Sequence, residues 1–132
     1  MIPIRVLVVD DDLQVARRIR EALDLTGSFE VATALSSQAG MLVLGRFQPD
    51  VMIVHPHQGR GTVTEWARAI SRYRCARSLA VIALTHHRMP AEATSIGEWA
   101  DLGVLEHPPS PAAVCDLLLQ WAEPEELANR AA

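Results

Sequence analysis

The sequence predicts a doubly wound α/β fold, a five-stranded parallel sheet with five helices divided between its two faces. Two observations carry that expectation. Short apolar runs rich in β-branched residues alternate with longer stretches whose apolar residues recur at helical spacing. Five such strand–helix pairs follow one another in 132 residues, a length that supports one core and is too short for two. There is no internal repeat and no low-complexity segment.

The elements follow in order. Ile4 to Val9 is a continuous apolar run suited to a strand buried on both faces. Asp11 or Asp12 can cap the helix that follows, in which Leu13, Ala16, Ile19 and Leu23 share a face and Gly27 marks the stop. Phe29 to Thr33 reads as a second strand. A helix opened by Ser36 or Ser37 carries Ala39, Leu42 and Val43 and ends near Gly45. After Pro49, Asp50 to Val54 reads as the third strand, and Val63 to Tyr73 as the third helix. Leu79 to Leu84 is the fourth strand, and Pro90 starts a helix running through Ile96 toward Trp99. Leu102 to Leu105 is a brief fifth strand, and Pro111 opens a last helix with Val114, Leu117, Leu118 and Trp121 on one face. These predict one domain over residues 1–122, with 123–132 as a polar tail or linker.

Composition narrows the function classes. Hydrophobic residues at 49% and charged residues at 21% match an ordinary globular protein. A formal charge of −4 argues against a general nucleic-acid surface, and all twelve basic residues are arginine. Cys75 and Cys115 stand far apart with no paired-ligand spacing, as expected of reduced thiols. The apolar start is too short for a membrane span, acids follow it at once, and no signal-peptide cleavage pattern is present. A cytoplasmic protein with no membrane contact is the expectation.

In a doubly wound sheet the functional crevice lies outside the carboxyl ends of the strands. Those ends carry Asp10, Asp11 and Asp12, then His55, then Thr85 and His86, then His107 and Pro108. With these residues in view, the chain resembles the bacterial receiver domains of two-component response regulators, which implies a flavodoxin-like (βα)5 fold. RVLVVDDD is similar to that family's first strand with its acidic pair, here Asp10 and Asp11. PDVMIVH resembles the third strand, which in the family ends in the phosphoacceptor aspartate. VIALTH resembles the fourth, with Thr85 at the hydroxyl position, and VLEHPPSP the fifth, where the family has a lysine followed by proline.

Two departures fall on the positions that matter most. His55 stands at the phosphoacceptor position and His107 at the lysine position. Asp50 does not replace the acceptor, because it lies about 16 Å upstream along the strand, at the other end of the sheet. The family chemistry needs a carboxylate nucleophile, a Mg²⁺ ion held by carboxylates, and a cation for the phosphoryl oxygens. Imidazole forms no acyl phosphate and is a poor ligand for hard Mg²⁺. Val104 also stands where the family usually has an aromatic switch residue. The resemblance therefore implies a phosphorylation-independent signalling module and not an enzyme, with Mg²⁺ binding weak or absent. It would act on a protein partner or a second copy through the face of its fourth helix, fifth strand and fifth helix.

All five histidines, His55, His57, His86, His87 and His107, fall after strands three, four and five. Three readings stand side by side. His55 and His107 can pair with the acidic residues, relieving the repulsion between adjacent carboxylates. Asp10, Asp11, His55, His86 and His107 can instead ligate a transition metal such as Zn²⁺ or Ni²⁺, in a metal-binding or metal-dependent protein. The His–Asp pairing can also respond to pH. Gly59 and Gly61 read as turn glycines around Arg60, the three tryptophans as half-buried helix residues, and Arg68, Arg72, Arg74 and Arg77 as a solvated face or a docking patch.

Overall fold

The computed structural model of the chain describes residues 2–56, 62–86 and 90–122, with the side chains of 90–94 left aside. Five strands and five helices alternate: β1 (Ile4–Val9), α1 (Leu13–Thr26), β2 (Phe29–Ala34), α2 (Ser37–Phe47), β3 (Val51–Val54), α3 (Thr62–Arg74), β4 (Ala80–Thr85), α4 (Pro90–Trp99), β5 (Gly103–Glu106) and α5 (Pro111–Trp121). All strand pairings are parallel, in the order β2-β1-β3-β4-β5. The fold is the doubly wound, flavodoxin-like α/β architecture. Its strand order reverses between β1 and β3, and the topological switch point lies there.

The pleat explains how one apolar run builds two cores. Alternate residues of a strand point to opposite faces. Val6 and Val8 with Ile53, Ile82 and Leu84 meet Ala16, Ile19 and Leu23 of α1 and Val114 and Leu118 of α5. Leu7 and Val9 with Met52, Val54, Val81 and Ala83 meet Leu44 of α2, Trp66 and Ile70 of α3, and Ile96 and Trp99 of α4. Every residue of β3 and β4 is buried, whereas at the sheet edges β2 is buried only at its two ends and β5 nowhere.

Helix ends follow local chemistry. Asp12, not Asp11, caps α1, its carboxylate accepting from the N–H groups of Gln14 and Val15. Gly27 closes the helix in the left-handed region at φ 73°. Ser36 caps α2 by accepting from the Ala39 N–H, which leaves Ser37 to accept from the indole of Trp66 at 3.0 Å. Among the described residues no helix is long and apolar enough to cross a membrane.

Several expectations are corrected. Leu13 is exposed on α1 and Val15 is buried in its place. On α2 Leu42 points outward at 63% exposure, and the buried positions are Ser37, Gly40 and Leu44. Trp66 is wholly buried and Trp99 nearly so, while Trp121 is half-buried as expected. Arg74 is not a solvated charge. Its guanidinium donates to the carbonyls of Leu79 and Trp99 and to the Asp101 carboxylate, tying α3 to the segments that precede β4 and β5.

Candidate functional site

The register of the sheet delivers the crevice. Val9 pairs with Val54, and Val54 with Ala83, so the residues that follow them emerge side by side at one edge. Asp10 leaves β1 and His55 leaves β3, the His55 N–H donating to the Val9 carbonyl at 2.9 Å. The His107 N–H donates to the Thr85 carbonyl at 2.8 Å and fixes the start of the loop after β5. Asp50 lies at the opposite edge, where its carboxylate accepts from the Arg5 N–H at 2.9 Å.

Asp10 is the centre of the site and is wholly buried. One of its carboxylate oxygens accepts from the Asp12 N–H at 2.9 Å, and the other lies 2.9 Å from Nε2 of His107. Nδ1 of His55 is 3.7 Å from Asp10 and 3.5 Å from Asp11, whose side chain is exposed. Burial alone would push the Asp10 carboxyl up. The close imidazole of His55, the hydrogen bond from the Asp12 N–H and the charge of His107 outweigh burial and hold it below its ordinary value.

The imidazoles also meet one another. His55 and His107 stack with centroids 4.1 Å apart and planes 13° from parallel. His86 approaches both edge-on, at 4.8 Å from His55 and 5.5 Å from His107. His55 is buried, His107 half-buried and His86 exposed, so the cluster grades from the sheet edge to the surface. Thr85 is buried at the end of β4, and Pro108 is exposed after a cis peptide bond. His57, His87, Gly59, Arg60, Gly61 and residues 123–132 lie outside the described residues.

The structure thus brings Asp10, Asp11, His55, His86 and His107 into one constellation, with Thr85 entering through its carbonyl. Sequence reasoning offered Asp12 as a cap for α1, which it is, but missed that its backbone N–H holds Asp10. The DDD run carried a signal for that contact, since an aspartate side chain accepts from the N–H two residues on in an Asx turn.

The chain matches no family model. It is 28% identical over 114 residues to the methanol utilization control regulatory protein MoxX of Paracoccus denitrificans. That match covers 86% of this chain, which spans about half, 51%, of the relative's length. Among solved structures it is similar to a response regulator signal receiver domain from Bermanella marisrubri, with TM-score 0.77 and 20% identity over 92% of this chain and 99% of that one. It is also similar to the N-terminal domain of a response regulator/sensory box/GGDEF three-domain protein from Carboxydothermus hydrogenoformans, with TM-score 0.68 and 25% identity over 86% and 90%. A third similar structure is the Vibrio cholerae chemotaxis protein CheY4, with TM-score 0.68 and 23% identity over 89% and 97%.

Proposed function

We propose that the chain is a receiver-like module of a two-component pathway that signals by docking a protein and takes no phosphoryl group. The observation that supports this most directly is the 2.9 Å contact between Nε2 of His107 and the buried Asp10 carboxylate. In a phosphate-accepting receiver the acidic pair holds a cation. Here an imidazole from the loop after β5 already occupies that carboxylate, and the Asp12 N–H takes its other oxygen.

The donor set does not fit Mg²⁺, which demands near-octahedral oxygen ligands. Of the acidic pair Asp11 alone is exposed, and the next side chain inward is the imidazole of His55. At the end of β3 that imidazole presents no carboxylate to attack phosphorus. With no phosphoryl input at the crevice, output falls to the surface formed by α4, β5 and α5, where a protein partner or a second copy of the chain would bind.

The test is intact-mass spectrometry after incubation with acetyl phosphate and Mg²⁺, run beside the double variant His55→Asp/His107→Lys. The double variant is expected to gain one phosphoryl group and the native chain none. A phosphorylated native chain would overturn the proposal. A double variant that also stays unmodified would remove the receiver-like chemistry from which it is reasoned.

A further inference from the structure

We propose that His55, His86 and His107 bind one divalent transition-metal ion, with Zn²⁺ as the reference case, at the mouth of the crevice. The three imidazoles come from the ends of β3, β4 and β5, and one ring nitrogen of each lies within 4.8 Å of the others. Imidazole nitrogen suits Zn²⁺, Ni²⁺ and Cu²⁺, and three such donors with an open fourth position form a common zinc arrangement. Tetrahedral Zn–N bonds of about 2.0–2.1 Å place ligand nitrogens about 3.3 Å apart. The separations here therefore close by at most about 1.5 Å on binding. His86 is exposed and can rotate, and the stacked rings of His55 and His107 have to turn so that the ion lies in the plane of each.

The second observation lies behind the ligands. With Nε2 of His107 donating to the Asp10 carboxylate at 2.9 Å, the lone pair of that ring sits on Nδ1. A buried carboxylate behind a ligating imidazole fixes its tautomer and raises its basicity, as is usual in zinc sites. Asp10 is itself held by the Asp12 N–H. His55 belongs as well to a second close set with Asp10 and Asp11, whose potential ligand atoms also lie within 4.8 Å. A water can fill the fourth position of the three-histidine site. Protein docking neither requires nor excludes the ion, so this assignment stands or falls apart from the proposed function.

The experiment starts from metal-free native chain, titrated with Co²⁺ followed by visible absorption and with Zn²⁺ followed by calorimetry. One ion per chain is expected, with the intense d–d absorption of four-coordinate cobalt, which equimolar Zn²⁺ should displace. Asp10→Asn is expected to weaken Zn²⁺ by about 10–100-fold, the cost of losing a carboxylate behind a ligating histidine, and His86→Ala by more. Because His86 is exposed, the metal-free His86→Ala chain is expected to keep the native circular dichroism. His86→Gln serves as a second probe of the same ligand. No bound ion in the native chain would overturn the proposal. So would native affinity in both His86 variants, because the ion would then sit on other groups.

Discussion

Asp10 and Tyr73 are held in opposite charge states by similar means. Asp10 is buried among donors, and its carboxyl is pulled below the ordinary range despite that burial. Tyr73 is pushed up by burial and by the Asp50 carboxylate, against a pull down from Arg77 and Arg5, and its hydroxyl donates to the Pro49 carbonyl at 2.8 Å. The chain has a single tyrosine, so alkaline absorbance titration reads this one group. A midpoint above the ordinary value of 10.0 is expected, and a midpoint at or below it would contradict the assignment. A phenol pKa raised by folding means that the neutral form is favoured in the native state. Its stabilisation is complete below about pH 10 and fades as pH climbs through the folded value. Tyr73→Phe should therefore cost about 1 kcal/mol at pH 7, and the gap to native should narrow above pH 10 in denaturant titrations. Contacts of this kind were only partly legible in the sequence. That acids and imidazoles converge at one edge follows from strand ends alone. That His107 reaches Asp10, 97 residues away, depends on the packed register of four strands, which no local pattern encodes. The full burial of Trp66 was likewise hidden, because it rests on α2 presenting Ser37 to its indole.

Helix α2 shows how an element can dock by leaving a side chain out. At Gly40 an added Cβ would lie 2.8 Å from both methyls of Val9 and 3.1 Å from the Trp66 ring. At Gly45, one and a half turns on, it would meet nothing within 4 Å. Both substitutions to alanine improve helix propensity by about 1 kcal/mol. At Gly40 the overpacking against a stiff, buried strand residue costs about 1–3 kcal/mol and is expected to prevail. Chemical denaturation should show Gly45→Ala stabilised and Gly40→Ala destabilised. A stabilised Gly40→Ala would mean that β1 and α2 are not in close contact. This explains why the α2 face was misassigned from the sequence. An apolar-periodicity reading favours Leu42 and passes over glycine, yet the closest approach to the sheet runs through Gly40. The caps were more legible, since Asp12, Gly27 and Ser36 act within their own turns.

At the scale of the molecule, the fold class was legible because the inner strands β1, β3 and β4 are nearly unbroken apolar runs and each parallel crossover carries its own helix. The surface of α4, β5 and α5 was named only through the family resemblance, because exposure is a property of the assembled surface. Val104 on β5 and Leu119 on α5 are exposed apolar side chains, at 41% and 43%. If this face carries the proposed docking, Val104→Asp should abolish concentration-dependent self-association in sedimentation velocity, or capture of a partner, while leaving thermal stability near native. Unchanged association in that variant would move the interface elsewhere. One further consequence comes from the contact between His107 and Asp10. Strand β5 lies at the sheet edge and β1 three strands inward, about 14 Å away at the usual strand spacing. The loop after β5 folds back over His55 to span that gap and works as a clasp across four of the five strands. The edge strand cannot peel away without unlatching the buried carboxylate, and loss of that carboxylate loosens the edge. A ligand gripping β5 from outside and one entering the crevice thus pull on the same latch from its two ends.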